Sequence, residues 1–296
     1  MLLNKRISIF DFLNTIKFDI LFIACYAILV GFMDQYGFLS KISIPIGLTG
    51  VFGTAVALLL GFRTNQAYDR WWEARIIWGA IVNDSRTLVR QTISFYDNSH
   101  KGFQKKSSEV AHRQIIWCYA LGESLRKLPF SNKVSDYLAA HGITGINIPN
   151  AILSKHSQAL TDARKGNMVN EFQQIQIDST IARLCDSMGK CERIKNTVFP
   201  KAHSLLIHLI IYVFATMLPF GLEDKNVAVE IVITFLIPII FIAIEKTSIL
   251  MQDPFENRPM DTPIKDLAET IEINLKQMIN EDDIIIKEKS DKYYIL

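Results

Sequence analysis

Thr54, Leu58 and Phe62 stand four residues apart and are followed by Gln66, Asp69 and Glu73. On a helix such steps drift by about 40° each, so these residues mark one continuous face. That face begins apolar and ends in carboxylates. Several copies of it around an axis would form an apolar constriction followed by rings of Asp69 and Glu73, the two devices by which ion pathways gate and select. On a lone helix the same residues would belong to a well-packed anchor.

The other candidates for chemistry are sparse. His208 and Glu230 are the titratable groups nearest to the middle of apolar stretches, and such groups are functional candidates by default. Glu230 lies close to the end of its stretch, however, and His208 can be satisfied by a neighbouring carbonyl. Cys25, Cys118, Cys185 and Cys191 form no CxxC pair and have no histidine at ligand spacing, which reads as reduced, packed thiols. Asp253, Glu256 and Asp261 share a turn without the spacing or glycine of a calcium loop. No phosphate loop, HExxH or GxGxxG is present, so an enzyme is not expected, and neither a metal nor a cofactor is implied.

The elements that must position these residues are apolar helices. Ile42 to Phe62 is uncharged and, at about 1.5 Å per residue, long enough to cross roughly 30 Å of hydrocarbon. Gly47, Gly50, Gly53 and Gly61 give it small faces for close approach to other helices. Further spans are expected over about 20–40, 202–222 and 227–245. A cleaved leader is the rival for the first, but no clear small-residue site follows it. Pro219 should mark a terminus and Pro238 a kink. After Phe62 the second span has no strong breaker, so it should continue well beyond the membrane.

Composition agrees with a chain partly embedded and partly wet. Of its 296 residues, 49% are apolar and 21% charged, with a formal net charge of +2. No dense basic run interleaved with aromatics supports nucleic-acid binding. Residues 63–201 have helical periodicity and mixed charge and read as a cytosolic bundle continuous with the spans, in which Trp71, Trp72 and Trp78 pack between helices. In that region HGITGINIPN is a loop, with Asn150 as cap of the helix that follows. Residues 7–16 suit a helix lying on the membrane surface, and 246–296 form a cytosolic tail segment. Lys5, Arg6, Lys17, Arg63, Arg70 and Lys201 flank the inner ends of the spans, against Lys41 and Lys225 outside, so both termini should be cytoplasmic.

Three segments together are specific: GFRTNQAYDRWWEARIIWG (61–79), CERIKNTVFP (191–200) and DPFENRPMDTPI (253–264). In order and spacing they resemble the bestrophin family of ion channels, over nearly the whole chain, and the short C-terminus resembles the bacterial branch. The resemblance implies an all-α, four-span homopentamer around a central pore. It puts an apolar neck at Thr54, Leu58 and Phe62 and a second, cytosolic constriction near Ile175. Thr54 stands where the family more often has a large aliphatic residue, and TVFPKAH replaces the commoner TPLPFAY. The sparse acids of ENRPMDTPI make calcium gating doubtful.

The expectation is therefore a single channel domain over residues 1–296 in the bacterial inner membrane, contacting lipid, other copies of itself and monovalent ions. Asp69 and Glu73, if they face the pore, favour sodium and potassium, whereas Arg63 and Arg70 on adjacent faces could reverse that. A chloride channel of the same architecture, a non-conducting scaffold or sensor, and an intramembrane enzyme using His208 are the alternatives.

Overall fold

A single helix of 50 residues, α3 (Ile46–Phe95), is the longest element, about 75 Å of helix at 1.5 Å per residue. It contains no proline, and its glycines do not interrupt it. The computed structural model describes residues 9–36, 43–96, 103–222, 226–284 and 286–287. Lys5, Arg6, Lys41 and Lys225, from which the orientation is argued, and the end of the charged tail lie outside the described residues.

The described chain is helical, with no strand. Preceding α3 are α1 (Ile9–Thr15) and α2 (Lys17–Gln35); following it are α4 (Phe103–Leu125), α5 (Asn132–Ala140), α6 (Ile148–Lys165), α7 (Glu171–Asn196), α8 (Lys201–Met217), a 3-10 turn at Pro219–Gly221, α9 (Val227–Met251) and α10 (Ile264–Met278). They form two compact units. One, the apolar unit, comprises the described residues of Arg6–Arg70 with Val198–Asp253; the other, the charged unit, comprises Trp71–Thr197 with the described residues of Pro254–Leu296.

In the apolar unit α2 and α8 pack on α9. Ile23 of α2, Val56 and Leu60 of α3, Ile207, Ile211 and Phe214 of α8 and Ile242 of α9 form its core. The outward faces are apolar too: Phe22, Leu29, Leu206, Val232, Leu236 and Ile240 are all exposed. Water penalises so large an apolar surface, and lipid satisfies it. Lys17–Gln35, Ile46–Phe95 and Val227–Met251 are each long and apolar enough to cross a membrane, with only 22% of their most apolar windows buried. At 17 residues α8 is short of that length alone and counts as a fourth only together with the helix before it. Its end coincides with Pro219, and Pro238 lies inside α9.

In the charged unit α4 is central, packing against α5, α6, α7 and α10. Trp78, Ile81 and Leu88 of α3, Trp117 and Leu121 of α4, Leu184 of α7 and Ile271 of α10 are buried in one core. The start of α6 departs from expectation. Its cap is Asn147, whose side chain accepts the Asn150 N–H at 3.1 Å. Asn150 is already within the helix, because Pro149 fits the first turn, where its missing N–H is not needed.

Candidate functional site

In the apolar unit the face of α3 carrying Thr54, Leu58 and Phe62 is unpacked. Leu58 is 59% and Phe62 58% exposed, and Thr54 is exposed beside them, whereas Val56, Leu60, Arg63 and Ala67 on the opposite side are each 1% exposed. The hydroxyl of Thr54 donates to the Gly50 carbonyl at 2.9 Å, a bond inside the helix. The glycines divide between the two faces. A Cβ at Gly53 would sit 3.1 Å from the Phe214 ring, while one at Gly47, Gly50 or Gly61 would meet nothing within 4 Å. Gln66 and Asp69 continue the exposed face towards the end of this unit.

What fixes this face is charge on the other side of the helix. Arg63 points inward, pairs with Glu245 of α9 at 3.2 Å and donates to the Ser204 hydroxyl at 3.0 Å. Its guanidinium also lies 5.7 Å from the Phe199 ring centre. The second oxygen of Glu245 meets His208 Nδ1 at 2.9 Å, so the partner of His208 is a carboxylate and not a backbone carbonyl. Thr64 and Ser248 share a hydrogen bond at 2.8 Å, and Tyr212 donates to Asp19 at 2.9 Å. Arg63 thus faces the packed side of α3 and not the stripe's flank expected from sequence, and Glu245 is not among the residues that spacing singles out. The available signal was an acid directly after the uninterrupted apolar run of α9. Glu230 is buried in the first turn of the same helix.

In the charged unit the three signature segments converge. Glu73 of the first is paired with Arg193 of the second at 2.6 Å. Lys195 of the second pairs with Glu256 of the third at 2.7 Å, beside the fully buried Phe255. The Trp71 indole donates to the Met260 carbonyl at 2.8 Å. Trp78 is buried as expected, but Trp72 is exposed with Ile76. Glu73 is therefore a partly exposed carboxylate engaged by a cation, whereas Asp69 is exposed. Ile175 is 67% exposed in the first turns of α7, next to the exposed Phe172. That start is held by a capping box in which Asn170 accepts the Gln173 N–H at 2.9 Å and Gln173 accepts the Asn170 N–H at 2.8 Å.

Among the described residues no three His, Cys, Asp or Glu side chains are grouped to hold a metal ion. Burial pushes the Cys118 and Cys191 thiols up to about 12, while Cys25 and Cys185 are exposed. In the third segment Asp261 accepts the Arg258 N–H at 3.0 Å, and Glu256 is engaged by Lys195.

Long apolar helices with lipid-suited outer faces, one of them carrying an unpacked stripe, define a polytopic α-helical membrane protein. That protein belongs to the bacterial/fungal bestrophin family, whose model matches residues 8–277. The family is one of ion channels, not enzymes. A voltage-dependent anion channel-forming protein of Escherichia coli K12, YneE, is 31% identical over 250 residues, 83% of this chain and 81% of that one. A protein of the same description from Synechocystis is 28% identical over 264 residues, 87% of this chain and 85% of that one. The crystal structure of a bacterial bestrophin homolog from Klebsiella pneumoniae shares the fold, with a TM-score of 0.81 at 24% identity, over 90% of this chain and 99% of that one.

Proposed function

We propose that five copies of this chain form a passive channel for small monovalent anions. The exposed faces of α3 would ring the pore, with Thr54, Leu58 and Phe62 as its apolar neck and Ile175 as a second constriction. One observation carries this reading: bulky Leu58 and Phe62 stand exposed on a helix whose opposite face is locked by a buried ion pair. A side chain of that kind narrows an aqueous path and sheds water from it. The open Gly47, Gly50 and Gly61 face suits close approach of a second copy.

The cation leaning read from Asp69 and Glu73 is set aside. Glu73 is paired with Arg193 at the surface, and the curated relatives are named as anion channel-forming proteins. Arg63, buried and paired, supplies no field to the face either. Asp69 alone favours cations, so sodium permeation is the second reading. The site of action is the bacterial inner membrane, with lipid against the outer apolar faces and both termini in the cytoplasm. Reconstitution into liposomes with chloride or sodium as the sole permeant ion tests it, and Leu58→Ala should raise chloride flux. A non-conducting scaffold would leave both proteins at background.

A further inference from the structure

In the charged unit a cavity of about 240 Å³ opens where α4 and α6 pack together near Tyr96, at the end of α3. Its charged lining is Lys106, Glu109 and Arg113 of α4 with Lys155 and Asp162 of α6. Three cations thus face two carboxylates, and Arg113 is the one that is set deep. It is 9% exposed, its Nη1 has no hydrogen-bond partner, and among the described residues no carboxylate is within ion-pairing distance of it. The Glu109 carboxylate is one turn away on the same helix and lines the cavity with Asp162, but the groups packed closest to Arg113 are neutral. They are the phenols of Tyr96 and Tyr137 and the imidazole of His156, on each of which Arg113 acts electrostatically. His156 is fully buried, and burial, reinforced by Arg113, holds it well below the usual histidine range and therefore neutral.

A largely buried guanidinium with no carboxylate at ion-pairing distance among the described residues is costly, and the usual remedy is a carboxylate or phosphate taken in its planar fork. We infer that the cavity lined by Arg113, Lys106 and Lys155 is a binding site for a small oxyanion bearing a carboxylate or phosphate. Arg113 is its anchor and the two lysines are its flanks. Glu109 and Asp162 line the same space, so the net lining charge is a single positive one, which suits a small anion and disfavours a polyanion. The cavity is also below the roughly 300–1,000 Å³ typical of sites for drug-sized ligands. This site is independent of the pore reading, since it lies in the charged unit and involves none of the neck residues.

The test uses the full chain purified in detergent. Thermal melting and calorimetry would be followed against inorganic phosphate and against succinate, with sodium chloride at matched ionic strength as the control. The two probes separate a phosphate source from a carboxylate source. The expected result is saturable stabilisation by at least one of them, weakened about tenfold in Lys155→Gln, the loss of one charge-assisted contact. Arg113→Lys, which keeps the charge and loses the fork, should weaken it further. Lys155 is only half-buried, so that variant should fold even where substitution of Arg113 does not. No saturable effect beyond the chloride control, or equal affinity in the parent and Lys155→Gln, would overturn the assignment.

Discussion

Glu245 receives bonds from two helices at once, Arg63 on α3 and His208 on α8, and is itself on α9. Removing one partner of a buried pair leaves the other charge uncompensated, at a cost of about 3–5 kcal/mol. Glu245→Ala should therefore melt well below the parent in detergent, and Glu245→Ala with Arg63→Met should recover part of the loss. A single variant that melts like the parent would show that the pair does not hold α3. His156 makes a different prediction. Its folded-state pKa is depressed, so the stability this implies is complete above the ordinary value of 6.5. It drains as pH falls below that value, because the unfolded chain then binds the proton that the folded chain refuses. His156→Gln should flatten melting temperature between about pH 7 and pH 5, and an unchanged slope would refute this. That Leu58 and Phe62 share one face of α3 could be read from spacing alone, because neighbours on one helix face are local. The pairing of Glu245 could not, because its partner is 182 residues away and an acid after an apolar run resembles the polar end of a span.

At the scale of elements, α3 was readable because nothing in its sequence stops a helix, and the apolar stretches of α2, α8 and α9 because lipid demands length and composition. Boundaries were less so. Two asparagines flank Ile148 and Pro149, either able to cap, and only the hydrogen bond from Asn150 N–H to Asn147 identifies the cap. Asn147→Ala should cost about 1 kcal/mol in the first turn of α6 and Asn150→Ala much less. Hydrogen exchange of the first-turn amides would read this as roughly fivefold faster opening in the first variant. Equal exchange in the two would return the cap to Asn150. Packing between elements was mostly hidden. The pairing of Glu73 with Arg193 converts an expected bare carboxylate into half of an ion pair, and residues 120 apart give no local signal of it.

At the scale of the molecule, an exposed apolar stripe flanked by open glycines on α3 is a surface that a single copy leaves unfinished. The resemblance pointed to five copies, while no property of one chain fixes the number. Native mass spectrometry of the detergent-solubilised protein should find five protomers of 33.7 kDa, and a monomer would contradict the ring. The direct test of the channel itself is flux into liposomes holding parent or Leu58→Ala protein, with chloride or sodium as the only permeant ion. Chloride flux in the parent, rising several-fold in the variant with sodium near background, is the predicted result. Sodium flux without chloride flux would contradict the anion reading, and no flux from either protein would contradict the channel.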